Sequence, residues 1–329
     1  MIICRTPFRI SFFGGGTDYP LWYREHGGAV ISSTINKYSY ITARWLPPFF
    51  DYKHRIRYFL KEETQTIEQI QHPSVRECAR YLKVEDGLEI VHNADLPARS
   101  GLGSSSTFTV GMLHTLHTLQ NYMPTKRELA LQAIHIEQEQ IGEAVGSQDQ
   151  TAAAFGGLNQ IRFNGLREID VDPIIISQER LHQLQDNLLL VFTGFARTAA
   201  EVAKNQIAVT PQKAKELLTM KGLCDQALVY LTNPKTSLDD FGKLLNEQWQ
   251  IKRSLTDRIS NPNIDQIYHT GIKNGALGGK LLGAGGGGFM LFYVPKENQA
   301  AIQAALDEKM FVPFRFEFTG SKVIYYSHE

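Results

Sequence analysis

The sequence predicts an α/β (α+β) protein with two domains. Segments with strand character alternate with segments of helical periodicity, and glycine-rich stretches join them. The chain has 329 residues, 43% of them hydrophobic, which is enough for two hydrophobic cores of ordinary size. We therefore expect one domain over 1–180 and a second over 181–329.

The composition disfavours several classes of partner and location for this protein. The 34 basic residues balance the 34 acidic ones, so the net charge favours neither nucleic acid nor an anionic membrane as a partner. The three cysteines, Cys4, Cys78 and Cys224, have no metal-binding spacing and no disulfide pattern, which is typical of the reducing cytoplasm. We expect no secretion signal and no membrane span, because no apolar run approaches about 20 residues.

Two strands are predicted at the start of the N-terminal half. The segments Ile2–Phe13 and Gly28–Trp45 are rich in β-branched and aromatic residues and are separated by a turn at Gly14–Gly16, so they should pair antiparallel. A helix over Ser74–Leu82 and a strand over Leu88–Asn93 follow.

Further helices and strands are predicted in the rest of the chain. Helical spacing of apolar residues begins at Phe108 and ends at Leu119, so the glycine-serine run before it should lie at a helix N-terminus. The remaining predictions are helices over Lys126–Ile141 and in a long region over Ala199–Arg258, and strands from Ile161 onward, over Leu188–Thr193 and over Phe289–Val294.

The glycine-serine run is the first candidate site. Its members Gly101, Leu102, Gly103, Ser104, Ser105 and Ser106 would present backbone N–H groups and hydroxyls at the positive end of a helix dipole, where a polyphosphate binds well. The segment lacks a Walker lysine, so Mg²⁺ and an acidic ligand elsewhere would have to neutralise the phosphates. An ordinary helix cap with flexible serines is the alternative.

Acidic residues follow at Glu137 and Asp149. One carboxylate would bind the metal ion and the other would lie beside the acceptor hydroxyl. Asp149 would serve equally well as a helix cap, and Glu137 competes with Glu139 and Glu143, which we expect to be solvated on the same helix.

Glycine-rich turns near both ends of the chain complete the pattern. Three glycines before Asp18 would let the backbone approach a sugar whose hydroxyls that carboxylate could bind, although a tight hairpin with a solvated aspartate is the alternative. The run Gly283–Gly288 also fits G-x-G-x-x-G, a nicotinamide-binding pattern, but a strand and not a helix follows it.

Taken in order, these segments resemble the three motifs of the galactokinase, homoserine kinase, mevalonate kinase and phosphomevalonate kinase (GHMP) superfamily. The matching stretches are Pro7–Tyr19, Pro97–Thr107 and Gly278–Phe289. The resemblance implies an N-terminal domain similar to ribosomal protein S5 and a ferredoxin-like C-terminal domain. It also implies transfer of the ATP γ-phosphoryl group to a hydroxyl, with Mg²⁺, in a site between the domains.

By this resemblance Asp149 is the catalytic residue beside the acceptor hydroxyl, with Arg9 next to it, and Ser105 and Glu137 hold the metal ion. The run from Gly101 to Ser106 would bind ATP. The substrate-binding residues implied are Arg9, Gly15, Gly16, Thr17, Asp18, Asp149, Gly285 and Gly286.

The first motif departs from that of galactokinase, which has Gly-Glu-His-Thr-Asp in place of the residues from Gly14 to Asp18. It looks like the motif of bacterial D-glycero-D-manno-heptose 7-phosphate kinases, as does Tyr23–Val30. The acceptor implied is the anomeric hydroxyl of that sugar phosphate. Another sugar (free mannoheptose, fucose or galactose) and a catalytically silent sugar sensor are the alternatives, and the resemblance is compatible with a monomer or a homodimer.

A substrate that already carries a phosphate also needs cationic partners at its far end. The candidates are Arg44, Lys53, Arg55, Arg57 and Arg99, with Arg44 or Arg99 preferred.

Overall fold

The computed structural model describes residues 1–165, 168–194 and 199–327. The strands are β1 Ile2–Phe13, β2 Gly28–Trp45, β3 His54–Arg57, β4 Lys61–Thr64, β5 Leu88–Ala94, β6 Leu158–Asn164, β7 Glu168–Pro173, β8 Leu188–Phe192, β9 Gly278–Leu281, β10 Phe289–Tyr293, β11 Met310–Phe311, β12 Phe316–Glu317 and β13 Lys322–Tyr326. The α-helices are α1 Pro20–His26, α2 Pro73–Tyr81, α3 Ser104–Leu119, α4 Lys126–His135, α5 Gln148–Phe155, α6 Gln178–Asp186, α7 Ala199–Val209, α8 Ala214–Thr232, α9 Leu238–Arg253, α10 Pro262–Lys273 and α11 Gln299–Ala305.

Two sheets organise the chain. The first contains nine strands, with β13-β1-β2-β5-β3-β4 in order, while β6 and β12 also pair with β2 and β7 pairs with β6. The predicted antiparallel pairing of β1 with β2 is confirmed and runs from Ile2 opposite Ala43 to Phe13 opposite Ile31. The second sheet is antiparallel, in the order β11-β8-β10-β9. The predicted mixed fold class is confirmed.

The long helical region expected over Ala199–Arg258 is divided into α7, α8 and α9. A short 3₁₀ turn, Thr210–Gln212, separates the first two helices, and Asn233 ends α8 immediately before Pro234. Pro211, within this turn, and Pro234 cause the two breaks, because proline has no N–H to donate to the carbonyl oxygen four residues earlier in a helix.

The last strands, β12 and β13, return to the first sheet. The domain boundary near residue 180 stays a prediction. Within the described ranges no helix is long and apolar enough to cross a membrane.

A shared aromatic cluster joins the N-terminal and C-terminal halves. The ring of Phe241 on α9 lies 5.5 Å from that of Phe12 and 5.1 Å from that of Phe13, both on β1, in edge-to-face contacts between ring centroids. All three side chains are fully buried. Since Tyr293 of the second sheet also contacts Phe241, at 6.4 Å between ring centroids, the two sheets share one hydrophobic core.

Two of the glycine-rich loops pack so closely that their backbones are in direct contact. A Cβ atom on Gly101 would lie 2.5 Å from the carbonyl oxygen of Leu282, and one on Gly283 would lie 2.6 Å from the Cα atom of Gly101. Both glycines have positive φ, 79° and 73°. Only residues without a side chain fit this crossing, which holds the phosphate-loop candidate against the third motif.

Replacement of Phe241 by alanine tests this shared core. The Phe241→Ala variant should lose about 3–5 kcal/mol of unfolding free energy, because the cavity would open between the two sheets. Phe59→Ala is the matched control, since its ring is 85% exposed, and it should cost less than about 0.5 kcal/mol. Chemical denaturation of both variants measures the difference, and equal losses would contradict a core common to the two halves.

Candidate active site

An ion pair between Arg9 and Asp149 lies at the centre of the candidate site. Arg9 Nε donates to Asp149 Oδ1 and Nη2 donates to Oδ2, each at 2.7 Å. The Arg9 side chain is 4% exposed, whereas that of Asp149 is 24% exposed and faces a cavity. Asp149 therefore binds an arginine instead of capping its own helix α5, and one side of its carboxylate stays open to a ligand.

The phosphate-loop candidate begins α3 as the sequence predicts. Gly103 is the N-cap residue, in a left-handed conformation, and no side chain caps the helix. The hydroxyls of Ser104 and Ser105 are therefore not used as caps, and Ser104, Ser105 and Ser106 line the same cavity as Asp149. Leu102 is buried, but its carbonyl oxygen accepts the backbone N–H of Arg9 at 3.1 Å.

Glu137 lies behind this loop, fully buried. The predicted helix over Lys126–Ile141 is α-helical only to His135 and continues as one π-helical turn, Ile136–Gln140, which turns Glu137 towards α3. Ser106 Oγ donates to Glu137 Oε2 at 2.8 Å, and Gln150 donates to the same oxygen. The hydroxyl in contact with Glu137 is thus that of Ser106, whereas the predicted metal ligand Ser105 is exposed.

The second carboxylate oxygen of Glu137 is available to a ligand. Glu137 Oε1 has no hydrogen-bond partner among the residues that the structure describes. Burial raises the Glu137 pKa to about 7, because the hydrogen bonds to this carboxylate only partly offset the loss of water. An orphaned carboxylate oxygen beside a serine hydroxyl is a donor set that suits Mg²⁺.

The first glycine turn holds Asp18, which is 3% exposed and not solvated. Its Oδ1 atom accepts the backbone N–H of Gly16 at 2.8 Å, and burial raises the pKa of the carboxyl group. Gly15, Gly16 and Asp18 line the cavity. Thr17 does not: its hydroxyl lies between the carbonyl oxygens of Gly14 and Ala29, at 2.8 and 2.9 Å, where its one proton is shared and the turn is held on β2.

The third glycine loop reaches the cavity at a different point from the one predicted. Gly283 and Ala284 line it. Gly285 and Gly286, the predicted substrate contacts, face the segment after α9 instead: Gly286 N donates to the Ile259 carbonyl oxygen at 3.0 Å, and a Cβ on Gly285 would lie 2.8 Å from Ile259 Cα. The tight return of the loop onto Ile259 turns these two glycines away from the site.

Two buried lysines that sequence reasoning missed also line the cavity. Lys252 Nζ, on α9, donates to the Gly283 carbonyl oxygen, and Lys280 Nζ, on β9, donates to those of Ser11 and Phe12 at 2.7 and 3.0 Å. Burial, then the charge of Arg9, lowers the Lys252 pKa to about 8. Burial, then Lys252, lowers the Lys280 pKa well below its usual value.

Both lysines had a signal in the sequence. Lys280 interrupts a run of strand character, and Lys252 follows Trp249 by three residues, which places it on the buried face of α9. A lysine at such a position is unusual unless a ligand or an acidic partner meets it.

Two other expectations need correction. Glu143 is not on the helix, which ends before it, and is not solvated: it lines the cavity, and burial raises its pKa. Of the predicted cations, Arg44 binds Glu89 through an Nε–Oε2 distance of 2.6 Å and Arg55 binds the same carboxylate, whereas Arg99 lines the cavity. The ion pairs on Glu89 leave Arg99 as the better-placed candidate for a phosphate.

The cavity therefore combines a partly exposed carboxylate, a turn that exposes hydroxyls and N–H groups at a helix start, and buried cations. Among the described residues four basic side chains line the cavity, Arg9, Arg99, Lys252 and Lys280, against three acidic ones, Asp18, Glu143 and Asp149, so basic side chains are in excess by one. A polyanion at the loop would balance this charge, and the carboxylate could accept a proton from a hydroxyl beside it. Such an arrangement can carry out phosphoryl transfer.

Comparisons with known proteins agree with this chemistry. Residues 72–157 match the GHMP kinases N terminal domain, and residues 227–312 match GHMP kinases C terminal. A D-glycero-alpha-D-manno-heptose 7-phosphate kinase from Campylobacter jejuni is 30% identical over 97% of this chain and 97% of its own length. The galactokinase of Pyrococcus furiosus is 24% identical over 96% of this chain and 95% of its own.

A solved structure shares the fold over the whole length. The crystal structure of a D-glycero-D-manno-heptose 1-phosphate kinase from Bacteroides thetaiotaomicron has a TM-score of 0.77 to this chain at 24% identity, and the match covers 100% of both chains. The chain belongs to the GHMP kinases. It is a kinase that transfers a phosphoryl group to a hydroxyl, and kinases of this family take that group from ATP.

The pH dependence of stability tests the burial of Lys252. Its pKa is about 8 in the fold against 10.5 ordinarily, so between these pH values the native state binds fewer protons than the unfolded chain. The contribution of Lys252 to the unfolding free energy therefore increases as the pH rises through this window, by up to about 3 kcal/mol. The stability of Lys252→Met relative to the wild type should be highest at or below pH 8 and should fall towards pH 10.5.

Denaturation at a series of pH values measures this difference. Lys235→Met is the matched control, because Lys235 is exposed in the loop after α8, and its difference from the wild type should stay constant with pH. If the difference between Lys252→Met and the wild type is equally constant, burial does not lower the pKa of Lys252.

Proposed function

We propose that this chain transfers the γ-phosphoryl group of ATP to the anomeric hydroxyl of D-glycero-D-manno-heptose 7-phosphate and produces the 1,7-bisphosphate. The observation that carries the proposal is the Asp149 carboxylate, held on both oxygens by Arg9 and open to the cavity next to the phosphate loop. The full-length relative named above supports the choice of sugar. The first motif, with glycines where galactokinase has Gly-Glu-His, disfavours galactose.

In the proposed reaction Asp149 accepts the proton of the anomeric hydroxyl as the phosphoryl group arrives. Arg9 holds the carboxylate in place, and its third contact, from Nη1 to the Gly101 carbonyl oxygen at 2.8 Å, fixes it relative to the phosphate loop. Positioning of this kind provides much of the catalysis in phosphoryl transfer. An anomeric hydroxyl is more acidic than an ordinary alcohol, so orientation of the hydroxyl by Asp149 contributes as well as proton transfer.

We further propose that Glu137 and a hydroxyl of the serine run hold Mg²⁺, with Ser106 the better-placed hydroxyl because it already contacts Glu137. When bound, the ion neutralises charge on the ATP phosphates. Asp18, Gly15 and Gly16 would bind the sugar, and Arg99 would bind a phosphate at the edge of the cavity. The three cysteines are free and buried, in keeping with a cytoplasmic location.

Release of ADP from Mg-ATP, measured against a panel of acceptors, tests the activity. The panel contains heptose 7-phosphate, free mannoheptose, mannose, fucose, galactose and mevalonate, and phosphorus NMR identifies the product. Turnover confined to heptose 7-phosphate, with a new anomeric phosphate signal, is expected. Turnover with a different sugar alone would overturn the choice of substrate, and no turnover with any acceptor would indicate a sugar sensor.

Removal of the Asp149 charge tests its role in proton transfer. Asp149→Asn should lower kcat by about 10²- to 10⁴-fold, the usual contribution of a general base, while the KM for ATP changes little. Steady-state kinetics measure both constants. Asp307→Asn, at an exposed position before β11, should be indistinguishable from the wild type. An Asp149→Asn enzyme with near wild-type turnover would exclude Asp149 as the base.

A thermal-shift measurement tests the proposed metal ligand apart from activity. In the wild type, Mg²⁺ added to the ADP complex should raise the melting temperature, and this rise should disappear in Glu137→Gln because the amide cannot replace the carboxylate as a ligand. Glu139→Gln, on the same π-helical turn but exposed, should keep the full rise. A rise in Glu137→Gln equal to that of the wild type would assign the metal to other residues.

A further inference from the structure

Several residues that line the cavity have buried polar atoms without a hydrogen-bond partner. Ser11 Oγ, Gln148 Oε1 and Gln206 Nε2 are buried and have no hydrogen-bond partner among the described residues, and all three side chains line the cavity. Ser11 is 4% exposed and Gln206 is 2% exposed. Because buried polar atoms without partners are costly, a cluster of them at a cavity wall indicates a ligand that supplies the partners.

These atoms surround one short segment, Gly15–Gly16. A Cβ atom on Gly16 would lie 2.6 Å from Gln206 Nε2, and one on Gly15 would lie 3.6 Å from Gln148 Nε2 and 3.7 Å from Ser11 Oγ. The same turn holds Asp18, whose Oδ1 accepts the Gly16 N–H. Three chain segments distant in sequence thus bring neutral hydrogen-bonding groups to the turn that carries the sugar-binding candidate.

The chemistry of this wall differs from that of the phosphate loop and the lysines. Its free groups are a donor on Gln206, an acceptor on Gln148 and a hydroxyl on Ser11 that serves as either, all without charge. A sugar hydroxyl both donates and accepts, so several hydroxyls in a row would satisfy the set. A phosphate offers no donor, and an acceptor with a largely hydrocarbon skeleton would leave the groups unpaired.

We propose that Gln206, together with Ser11 and Gln148, forms a specificity subsite that binds non-reacting hydroxyls of the acceptor sugar, with Gln206 Nε2 donating to one of them. The proposal rests on the proposed sugar-kinase function and goes further by assigning residues to substrate selection. Gln206 belongs to α7, outside all three glycine motifs, so the C-terminal half contributes to the choice of sugar.

A cycle of variants and deoxy sugars tests the contact. The wild type and Gln206→Leu are compared on the accepted sugar and on its single-position deoxy analogues. Gln206→Leu should lower kcat/KM for the full sugar by about 10- to 100-fold, mainly through KM, with the KM for ATP changed less than about threefold. One deoxy analogue should have a low kcat/KM with the wild type and the same kcat/KM with Gln206→Leu. This analogue lacks the hydroxyl that Gln206 contacts, so removal of the donor as well has no further effect.

Two further variants complete the test. Gln206→Glu keeps the shape but replaces the donor with an acceptor, and it should lose at least as much as Gln206→Leu. Gln160→Leu is the matched control: Gln160 is also buried, on β6, but does not line the cavity, and its variant should keep the wild-type preference among analogues. If each deoxy analogue lowers kcat/KM by the same factor in Gln206→Leu as in the wild type, Gln206 contacts none of the hydroxyls and the proposal is overturned.

Calorimetry of sugar binding separates this inference from the proposed function. If the wild type turns over a different sugar, the cycle is run with that sugar and its analogues, so only the choice of heptose fails. If it turns over none, binding that is present in the wild type and weakened about tenfold or more in Gln206→Leu still supports the subsite. Absence of sugar binding to the wild type, or turnover of mevalonate alone, would overturn the subsite together with the sugar-kinase function.

Discussion

The Arg9 side chain is the constraint on which the site depends. A guanidinium group that is 4% exposed is tolerated only when its donors are used, and here they bind both oxygens of Asp149 and the carbonyl oxygen of Gly101. Its backbone N–H is also used, by the Leu102 carbonyl oxygen. One residue of β1 therefore sets the position of the candidate base relative to the phosphate loop, and loss of Asp149 would leave the buried charge of Arg9 uncompensated.

Around this pair the cavity holds two buried lysines. Lys252 and Lys280 bind only carbonyl oxygens among the described residues, and burial lowers the pKa of both. An anionic ligand would restore the charged form of each lysine, because an opposite charge nearby offsets the desolvation. Buried lysines held in this way are preorganised for the charge of phosphates, as phosphoryl transfer requires.

The backbone geometry of the glycine loops explains where the motif residues lie relative to the cavity. The motifs indicate which segments meet, and the crossing of Gly101 and Gly283 shows why no side chain fits there. A motif does not state which of several neighbouring residues faces the ligand. The hydroxyl of Ser106, and not that of Ser105, contacts Glu137 on the π-helical turn, and Gly285 and Gly286 lie against Ile259.

The sequence by itself determined the long strands β1 and β2, a helix that ends at Leu119 with the glycine-serine run at its N-terminus, the family, and the glycine-rich segments that meet at the cavity. These features depend on local periodicity, on proline and glycine conformation and on contiguous motifs, all of which can be read along the chain. Only the tertiary structure decided that Lys252, Lys280 and Gln206 line the cavity, that Glu143 lies at its wall and that Arg44 is occupied by Glu89. Each of these features depends on contacts between segments distant in sequence. A local sequence pattern does not determine how deeply such a side chain is buried or which residue it contacts.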